Sequence, residues 1–552
     1  MTSATEHRGR GIMLWLAPPV LSGILLGLAF PPADLWWVVL FGMTPLLWHL
    51  HRQPSGLHAF LSGFIAGTIF CLLVLRPLVS AYLWSGWEEG MHLTMEAAEA
   101  RQQQVLIVLW LLLGVWGGVF WGVFAGLAAW LTRSSLVRMA LCVPPLFLLV
   151  AEWLRSLFSW DYHWAFLGNT LVEVEALRQL VAVGGIWLLS WLAVLVNVGA
   201  LGLLLALRQR KPHQLAVLAS IAGVVVVAMF VGIVQQRHTE AQLQDRPGIS
   251  VAALQFHKPE YHLSDYIEIG LERDYVNLLY HVITRHAGDI DLLVLPESVA
   301  VTAVSLDGTT AEGTPDDEQF SLQEWTEVVL RLMDQSDAQI SMVMGLKSIE
   351  GGNTYNSMLY WNALGLSGTY HKQRLVPFAE HSPAKLDLLG LRGRSAFAPG
   401  NNSQPVMLNN IHFGNFICQE VLVPEITREA VLSGAEILVS GGNDGVFADP
   451  AVARIHARLA RLRAVETGRY TVRAMKTGVS AIISPTGQEL ARSPDSAPHL
   501  VRGMTYPLDH HTLYVRFGNW PLVPAVLMVT LSATIARRRR HTNPPGQAPR
   551  DT

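Results

Sequence analysis

The chain has 552 residues, of which 51% are hydrophobic and only 15% are charged, and its formal net charge is -3. Such an apolar composition excludes an ordinary soluble enzyme, while the length leaves room for two domains. The small net charge provides no broad basic field, which argues against a nucleic-acid partner. The chain is therefore expected to lie in a membrane and to carry a polar domain as well.

Apolar runs of roughly bilayer-spanning length occur at eight places along the chain. They cover residues 12–30, 35–50, 59–75, 105–131, 139–157, 181–207, 215–234 and 521–535. The first run follows Arg8 and Arg10, but no small-residue cleavage site precedes Pro31, so it is predicted to be a retained anchor. The pattern predicts a membrane domain of eight helices.

Basic residues in the connecting loops predict the orientation, since Lys and Arg near span ends stay cytoplasmic. Arg52, Arg133 with Arg138, and the basic stretch 208–211 follow the second, fourth and sixth runs, whereas the opposite loops are acidic. Both termini are then cytoplasmic, and the polar stretch between the seventh and eighth runs is extracytoplasmic. The cluster from Arg537 to Arg540 is interpreted as a topology anchor.

Short β-rich runs alternate with helical segments between residues 235 and 519, which is typical of an α/β layered domain. The predicted strands are 249–254, 290–295, 340–346, 357–361, 413–417 and 437–440. The predicted helices are 266–285, 322–335, 424–433 and 452–466. The predicted domains are 1–234 with seven spans, 235–519 outside the cytoplasm, 520–536 as the eighth span and 537–552 as a basic, disordered cytoplasmic tail.

Cys418 is the only cysteine outside the apolar runs, which contain Cys71 and Cys142, so no disulfide is expected in the polar stretch. Two strand-like segments upstream end in Glu297 and Lys372. A thiol, a carboxylate and an amine at strand ends suit covalent acyl transfer. The carboxylate takes the thiol proton, the thiolate attacks a carbonyl, and the ammonium stabilises the oxyanion.

The local sequence leaves alternatives open at each of these positions. His371 and Arg374 compete with Lys372, Glu297 can be a surface residue after a turn, and an inert buried thiol competes with a nucleophilic Cys418. A strand-to-helix elbow at Cys418 would aim the following backbone N–H, that of Gln419, at an oxyanion. Two further carboxylates either support the pocket or lie on the surface; they are Glu380 and Glu420. No metal-ligand spacing accompanies the cysteine, so no metal is expected.

Three motifs carry a resemblance to a known family. They are Leu295-Pro296-Glu297, Lys372-x-x-Leu-Val-Pro-Phe-x-Glu380, and Cys418-Gln419-Glu420. Together they resemble the nitrilase, or carbon–nitrogen hydrolase, superfamily. Further matches, such as Ala29-Phe30-Pro31-Pro32 and Asn443-Asp444-Gly445-Val446-Phe447, make the chain similar to its membrane-embedded branch, the apolipoprotein N-acyltransferase family.

The resemblance implies an αββα sandwich inserted between the seventh and eighth transmembrane helices. It implies that Glu297 is the general base, Lys372 the oxyanion-stabilising residue and Cys418 the acyl-accepting nucleophile. It assigns supporting pocket roles to Glu380, Glu420 and Gln419. Phe256, His257, Leu295 and Val446 depart from the residues usual in the family, which leaves the identity of the acceptor open.

The activity implied by the resemblance is ping-pong acyl transfer in a bacterial inner membrane. A phospholipid donates a fatty acyl chain to the cysteine, and the chain passes to the N-terminal amine of a diacylglyceryl-cysteine apolipoprotein on the periplasmic side. No cofactor is implied, and a monomer is expected. The alternatives are a membrane-tethered nitrilase-type amidase, an N-acyltransferase with a different amine acceptor, and a non-enzyme scaffold.

Overall fold

The structure is a computed structural model that describes residues 2–52, 55–81, 95–132, 143–158, 160–209, 212–243, 247–256, 270–299, 303–311, 319–334, 340–377, 380, 397–495 and 497–542. It divides into two compact units. The first comprises residues 1–76, 108–234 and 517–552, and the second comprises residues 77–107 and 235–516.

The described α-helices differ widely in length. They are Thr2–Leu28 (α1), Thr44–Arg52 (α2), Gly56–Val74 (α3), Met95–Thr132 (α4), Val143–Ser156 (α5), Glu175–Arg178 (α6), Val181–Gly184 (α7), Ile186–Gln209 (α8), Pro212–Ala241 (α9), Gly270–His286 (α10), Leu322–Asp334 (α11), Pro424–Leu432 (α12), Ala451–Thr467 (α13), Leu513–Phe517 (α14) and Leu522–Thr542 (α15). Within the described residues, four helical segments are long and apolar enough to cross a membrane: Gly56–Val74, Ala100–Trp130, Ile186–Arg208 and Leu215–Ala241. Trp15–Leu28 and Leu522–Ile535 are shorter apolar helices.

The run predicted as the second span is not one continuous helix. It forms a 3₁₀ helix, Trp36–Leu40, and then the nine-residue α2, which rises only about 14 Å. Asn197 of α8 satisfies the backbone at the break, because its side chain accepts from the Met43 N–H at 2.8 Å and donates to the Val39 carbonyl at 2.6 Å. Such side-chain bonds allow irregular backbone where no water is present. The count of eight spans stays a prediction.

A buried acid and a buried base of α5 hold a second irregular segment. The Glu152 carboxylate accepts from the Leu167 N–H at 2.9 Å, and the Arg155 guanidinium donates to the Ala165 carbonyl at 2.9 Å. Both side chains are almost fully buried. These bonds support the 3₁₀ helix Leu167–Glu173 that precedes α8.

The second unit contains all fourteen strands of the described chain in two sheets. The strands are Ile249–Gln255 (β1), Leu292–Val294 (β2), Ala303–Ser305 (β3), Gln319–Ser321 (β4), Ser341–Glu350 (β5), Asn353–Asn362 (β6), Gly365–His371 (β7), Val406–Leu408 (β8), Ile411–Ile417 (β9), Ile437–Gly442 (β10), Thr471–Met475 (β11), Ala481–Ile483 (β12), Glu489–Arg492 (β13) and His499–Thr505 (β14). The first sheet runs β14-β1-β2-β5-β3-β4, with β6 on β5 and β7 on β6. The second runs β13-β12-β11-β10-β9-β8.

Each sheet has a parallel centre, formed by β1, β2 and β5 in the first and by β9, β10 and β11 in the second. Val251 and Ala253 of β1 face a core shared with residues of the second sheet such as Val439 and Val472. The alternate residues of β1, Ala252 and Leu254, pack with residues of α10 and α11. Burial of both faces explains why these strands are continuous apolar runs in the sequence.

Helices also cover the second sheet, where α12 packs on β9 and α13 on β11. A Cβ added to Gly414 of β9 would lie 3.0 Å from the Cβ of Ala430, so glycine permits this close packing. The four layers form the predicted αββα sandwich. The predicted strands and helices of residues 249–466 are confirmed with shifts at their ends, except that residues 266–269 and 335 of two predicted helices lie outside the described residues, as does His257.

Candidate active site

Cys418 stands at a sharp bend between β9 and a 3₁₀ helix, Cys418–Leu422. Its φ angle is 51°, a left-handed value that costs a non-glycine residue about 1 to 3 kcal/mol. Its thiol lies 3.8 Å from the carbonyl of Asn443, the first residue after β10, and the residue is 7% exposed. The predicted strand-to-helix elbow is therefore present. The strained backbone conformation is retained at the residue whose thiol the elbow exposes.

Glu297 follows β2 on a short turn that rests on β5. The Gly345 N–H donates to the Pro296 carbonyl at 3.2 Å, and a Cβ at Gly345 would lie 2.6 Å from the Glu297 Cα. Only glycine therefore fits at this position of β5. The Glu297 side chain is 9% exposed, so the alternative of a surface residue after a turn is wrong.

Lys372 comes directly after β7 and is almost fully buried. Its ammonium nitrogen lies 2.8 Å from Glu380 Oε2 and 3.7 Å from Glu297 Oε1. The backbone is fixed on both sides, because the Lys372 N–H donates to the Asn356 carbonyl and the Gly400 N–H donates to the Lys372 carbonyl, each at 2.8 Å. The ammonium is thus held between two carboxylates beside the cysteine.

The competing basic residues do not join this group. The His371 ring lies 2.7 Å from Ser357 Oγ and 3.0 Å from Glu350 Oε2, because neighbouring residues of a strand point to opposite faces. Arg374 contributes its backbone N–H to Glu420 and has an exposed side chain. Of the three basic residues in this stretch, the structure brings Lys372 to Glu297.

Burial and charge set the protonation states of the three groups. Burial raises the pKa of the Glu297 carboxyl, although the Lys372 ammonium opposes this shift. Burial also raises the pKa of the Cys418 thiol, and the Glu297 charge adds to it. Burial by itself would lower the pKa of Lys372, but the charges of Glu380 and Glu297 raise it above its ordinary value. These shifts favour the protonated thiol and the cationic lysine, and they make the Glu297 carboxylate a stronger base than an ordinary glutamate.

Glu420 joins the cysteine elbow to the segment after Lys372. One carboxylate oxygen accepts from the Ile417 N–H at 2.7 Å and the Tyr370 hydroxyl at 2.9 Å. The other accepts from the N–H groups of Gln373 at 2.7 Å and Arg374 at 3.0 Å. Burial raises the pKa of this carboxyl. Neither Glu420 nor Glu380 is a surface carboxylate, and Gln419 is buried in the same 3₁₀ turn.

Asn356 of β6 is a site residue that the sequence interpretation missed. Its side-chain amide donates to Glu297 Oε1 at 2.5 Å and to Glu380 Oε1 at 2.7 Å. It therefore supplies hydrogen bonds to both carboxylates that flank the lysine. The available signal was an amide residue directly before the predicted strand 357–361.

A buried ionic group behind the cysteine was also missed. Asp444 Oδ1 lies 2.7 Å from His456 Nδ1, and Asp444 Oδ2 accepts from the Arg473 guanidinium at 3.2 Å. Burial would raise the pKa of Asp444, but His456 and Arg473 hold it below its ordinary value. The loop that supplies the Asn443 carbonyl to the thiol is thereby fixed.

The residues that depart from the family pattern occupy different environments. Leu295 is fully buried in the cluster that β2 shares with α10 and α11, and Phe256 packs against the same cluster. Val446 ends a 3₁₀ turn that begins at Asp444. Within the described part of the chain, no group of three or more His, Cys, Asp or Glu side chains could hold a metal ion.

Two family models match separate parts of the chain. Residues 251–501 match the family model described as "Carbon-nitrogen hydrolase". Residues 22–199 match the model described as "Apolipoprotein N-acyltransferase N-terminal domain". An amidase from Nesterenkonia sp. is similar in structure to part of the chain, with a TM-score of 0.36, 18% identity, and coverage of 50% of this chain and 95% of the amidase.

Curated relatives match over almost the whole length. A protein of Pseudomonas paraeruginosa named apolipoprotein N-acyltransferase is 26% identical over 96% of this chain and 98% of its own length. A protein of Azotobacter vinelandii with the same name is 26% identical over 97% of this chain and 99% of its own. The second unit, which contains residues 251–501, is thus of the carbon–nitrogen hydrolase class. The chain as a whole belongs to the apolipoprotein N-acyltransferase family.

Proposed function

We propose that the protein transfers a fatty acyl chain from a membrane phospholipid, through a thioester on Cys418, to the N-terminal amine of a diacylglyceryl-cysteine apolipoprotein. The observation that carries the proposal is the meeting of a strained cysteine elbow with the Glu297–Lys372 pair. The same chain carries apolar helices of membrane-spanning length. Family membership supports the choice of substrates.

In the first half of the reaction, Glu297 accepts the thiol proton and the Cys418 sulfur attacks the ester carbonyl of the phospholipid. The negative charge that develops on the carbonyl oxygen is stabilised by the Lys372 ammonium and by the Gln419 backbone N–H. Collapse of the tetrahedral intermediate breaks the carbon–oxygen bond of the ester. Glu297 then returns the proton to the alkoxide, and a lysophospholipid leaves.

In the second half, the neutral amine of the apolipoprotein attacks the thioester carbonyl. Glu297 accepts a proton from the attacking nitrogen, and Lys372 again stabilises the oxyanion. The carbon–sulfur bond breaks, an amide is formed, and the thiol takes back its proton from Glu297. In both halves of the reaction, the contact of Glu380 with Lys372 and that of Asn356 with Glu297 hold the ammonium and the carboxylate in position.

A membrane location suits these substrates, because exposing an acyl chain to water costs about 0.8 kcal/mol per CH₂ group. We propose eight spans, with the catalytic domain of residues 235–519 inserted between the seventh and eighth on the periplasmic side. The termini, including the basic tail 537–552, are cytoplasmic. Arg52 at the end of α2 and Arg208 near the end of α8 support this orientation. The protein acts as a monomer and without a cofactor.

Labelling with a phospholipid tests the proposal. The purified protein is incubated with phosphatidylglycerol that carries labelled acyl chains, and the modified peptide is identified by mass spectrometry. The expected result is one acyl group on Cys418, absent from Cys418→Ala and unchanged in Cys71→Ala, which removes the other described free cysteine. Addition of a diacylated lipopeptide should transfer the label to its amine.

Two results would contradict the proposal. A folded protein that acylates a lipopeptide without any acyl group on Cys418 would refute the thioester. Release of free fatty acid, with no acylated lipopeptide when the peptide is present in excess, would support the amidase alternative in which water resolves the thioester.

A further inference from the structure

The first unit contains a groove, lined by residues of α1, α2 and α8, that the proposed reaction does not use. Its volume is about 670 Å³, and most of its lining is apolar, including Leu25 of α1, Trp48 of α2 and Leu204 of α8. The lining also includes a cation, Arg208, in the last turn of α8. All of these residues belong to the first unit, so the groove can be described without reference to the second.

The length of the groove matches one leaflet of a bilayer. The Asn197 side chain of α8 accepts from the Met43 N–H at 2.8 Å, so α2 begins beside Asn197. Trp48 and Arg208 lie further along the two helices and line the same groove, so α2 and α8 run in the same direction. The rise is about 14 Å along α2 and about 16 Å from Asn197 to Arg208. Half of the bilayer hydrocarbon core, which is about 30 Å thick, has the same length.

The side of the groove that α8 forms is exposed and apolar. Leu203, Leu204 and Leu207 are exposed large hydrophobic residues. Another face of α8 packs on α9, where a Cβ at Gly199 would lie 3.2 Å from a side-chain carbon of Ile221. In a membrane the exposed leucines lie against acyl chains. Because lipid tails are as apolar as leucine, the apolar lining gives no preference for one lipid headgroup over another.

Two arginines at the same end of the groove supply such a preference. Arg52 ends α2, and its guanidinium carbon lies 3.8 Å from the centroid of the Trp48 ring, which lines the groove. This cation–π contact holds the guanidinium over the ring. Arg208 lines the groove near the end of α8. The positive charges therefore lie about one leaflet from Asn197, where a lipid with its chain in the groove carries its phosphate.

We propose that the groove binds one anionic phospholipid of the bilayer, with an acyl chain along α2 and α8 and its phosphate between Arg52 and Arg208. A guanidinium donates paired, charge-assisted hydrogen bonds to phosphate oxygens. The amine of a zwitterionic headgroup offsets the phosphate charge, so two arginines favour a lipid with a net negative charge. The bound lipid joins α2 to α8 at the end opposite Asn197. In the proposed orientation it belongs to the cytoplasmic leaflet.

Photocrosslinking in nanodiscs tests the inference. The purified protein is placed in phosphatidylcholine nanodiscs that contain a small amount of a diazirine-bearing lipid, either phosphatidylglycerol or phosphatidylcholine. Mass spectrometry gives the labelling of residues 200–208 of α8 relative to residues 224–231 of α9, a stretch with several exposed apolar side chains. We expect this ratio to be about tenfold higher with the phosphatidylglycerol probe. Label on Cys418 from the proposed reaction falls on a different peptide and is counted separately.

Matched variants separate the charges from the groove. Arg52→Gln and Arg208→Gln should each lower the ratio for phosphatidylglycerol by about fivefold, and both side chains are exposed, so the fold should be kept. Arg208→Lys keeps the cation and should retain most of the labelling. Leu204→Trp fills the groove and should lower the ratio although both charges remain. Arg237→Gln and Val226→Trp, at exposed positions of α9, are the controls and should change nothing.

Three outcomes would overturn the inference. Equal ratios with the two probes would mean that the groove takes up bulk lipid without regard to charge. A fall in Arg237→Gln as large as that in Arg208→Gln would mean that any exposed arginine attracts the anionic probe. Unchanged labelling in Leu204→Trp would mean that the lipid does not lie in the groove. None of these outcomes depends on acylation of Cys418, so the inference and the proposed function are tested separately.

Discussion

The residues on the Glu297 side of the site and those on the Cys418 side reach their positions by different means. On the first side, Glu297, Glu380 and Lys372 are held by one another and by Asn356 through hydrogen bonds and ion pairs in direct contact with the reacting groups. On the second side, the cysteine stands on a strained backbone, and the charges lie behind it.

The difference predicts different responses to mutation. A change on the Glu297 side alters the protonation or the charge of a group that acts in the reaction, while the backbone around it stays paired. A change on the Cys418 side, at Asp444 or its partners, leaves a buried charge without its counter-ion and should first reduce stability. Variants of the two sides therefore test whether rate and stability are separately controlled.

Glu297→Gln should have the largest effect. The amide keeps the shape of the side chain but cannot accept the thiol proton, and loss of a general base lowers rates by about 10²- to 10⁴-fold. Thioester formation on Cys418 should fall by that factor, while circular dichroism and the melting temperature stay close to those of the unaltered protein. Glu327→Gln on the exposed side of α11 provides the control. Unimpaired acylation in Glu297→Gln would contradict the assignment of the base.

Asp444→Asn should chiefly destabilise the protein. The Arg473 side chain is fully buried, and removal of its counter-charge typically costs about 3 to 5 kcal/mol. We expect a clear fall in the melting temperature in detergent. Asp495→Asn, which breaks an exposed pair with Arg492, should cost less than about 1 kcal/mol. Equal melting temperatures for the two variants would show that the buried group does not hold the elbow loop.

Asn356→Ala should shift the pH dependence of acylation. The Asn356 amide favours the ionised form of Glu297, so its removal raises the already raised pKa of that carboxyl further. Glu297 must be ionised to accept the proton, so the rate falls as the pH drops through its pKa. The variant should lose about tenfold in rate at neutral pH and less at alkaline pH. A loss of rate that is the same at every pH would mean that Asn356 positions the Glu297 side chain without changing its pKa.

Much of the catalytic unit could be predicted from the sequence because its strands are buried on both faces. Continuous apolar runs such as 249–254 and 437–440 identify parallel central strands, and the residues that follow them collect at one edge. Glu297 and Cys418 were found in this way. The strands β3, β4, β8, β11, β12, β13 and β14 were not predicted. Four of them, β3, β4, β8 and β12, have only three residues each, which carry too little periodicity to be recognised.

The residues that organise the site were harder to find than those proposed to react. Asn356 and Arg473 lie within strands, where a polar residue has no local signature of its partner, and the bonds they make join segments far apart in the sequence. The same is true in the first unit. Asn197 lies in an apolar helix, yet its side chain hydrogen-bonds the backbone at the break in the predicted second span. Hydropathy predicts where a segment is buried, but not which side chains form hydrogen bonds with its backbone groups.

His371→Gln should have the smallest effect, although His371 is adjacent to Lys372. Its ring is stacked on Tyr355 with centroids 4.3 Å apart and contacts Ser357 and Glu350, on the face of β7 opposite the lysine. Loss of these contacts should cost about 1 kcal/mol of stability. The rate of thioester formation should stay within about twofold, whereas Lys372→Met removes the cation that stabilises the oxyanion. If His371→Gln lowered the rate of thioester formation as much as Lys372→Met, the histidine would take part in the reaction. Its position on the opposite face of β7 would then not separate it from the reacting groups.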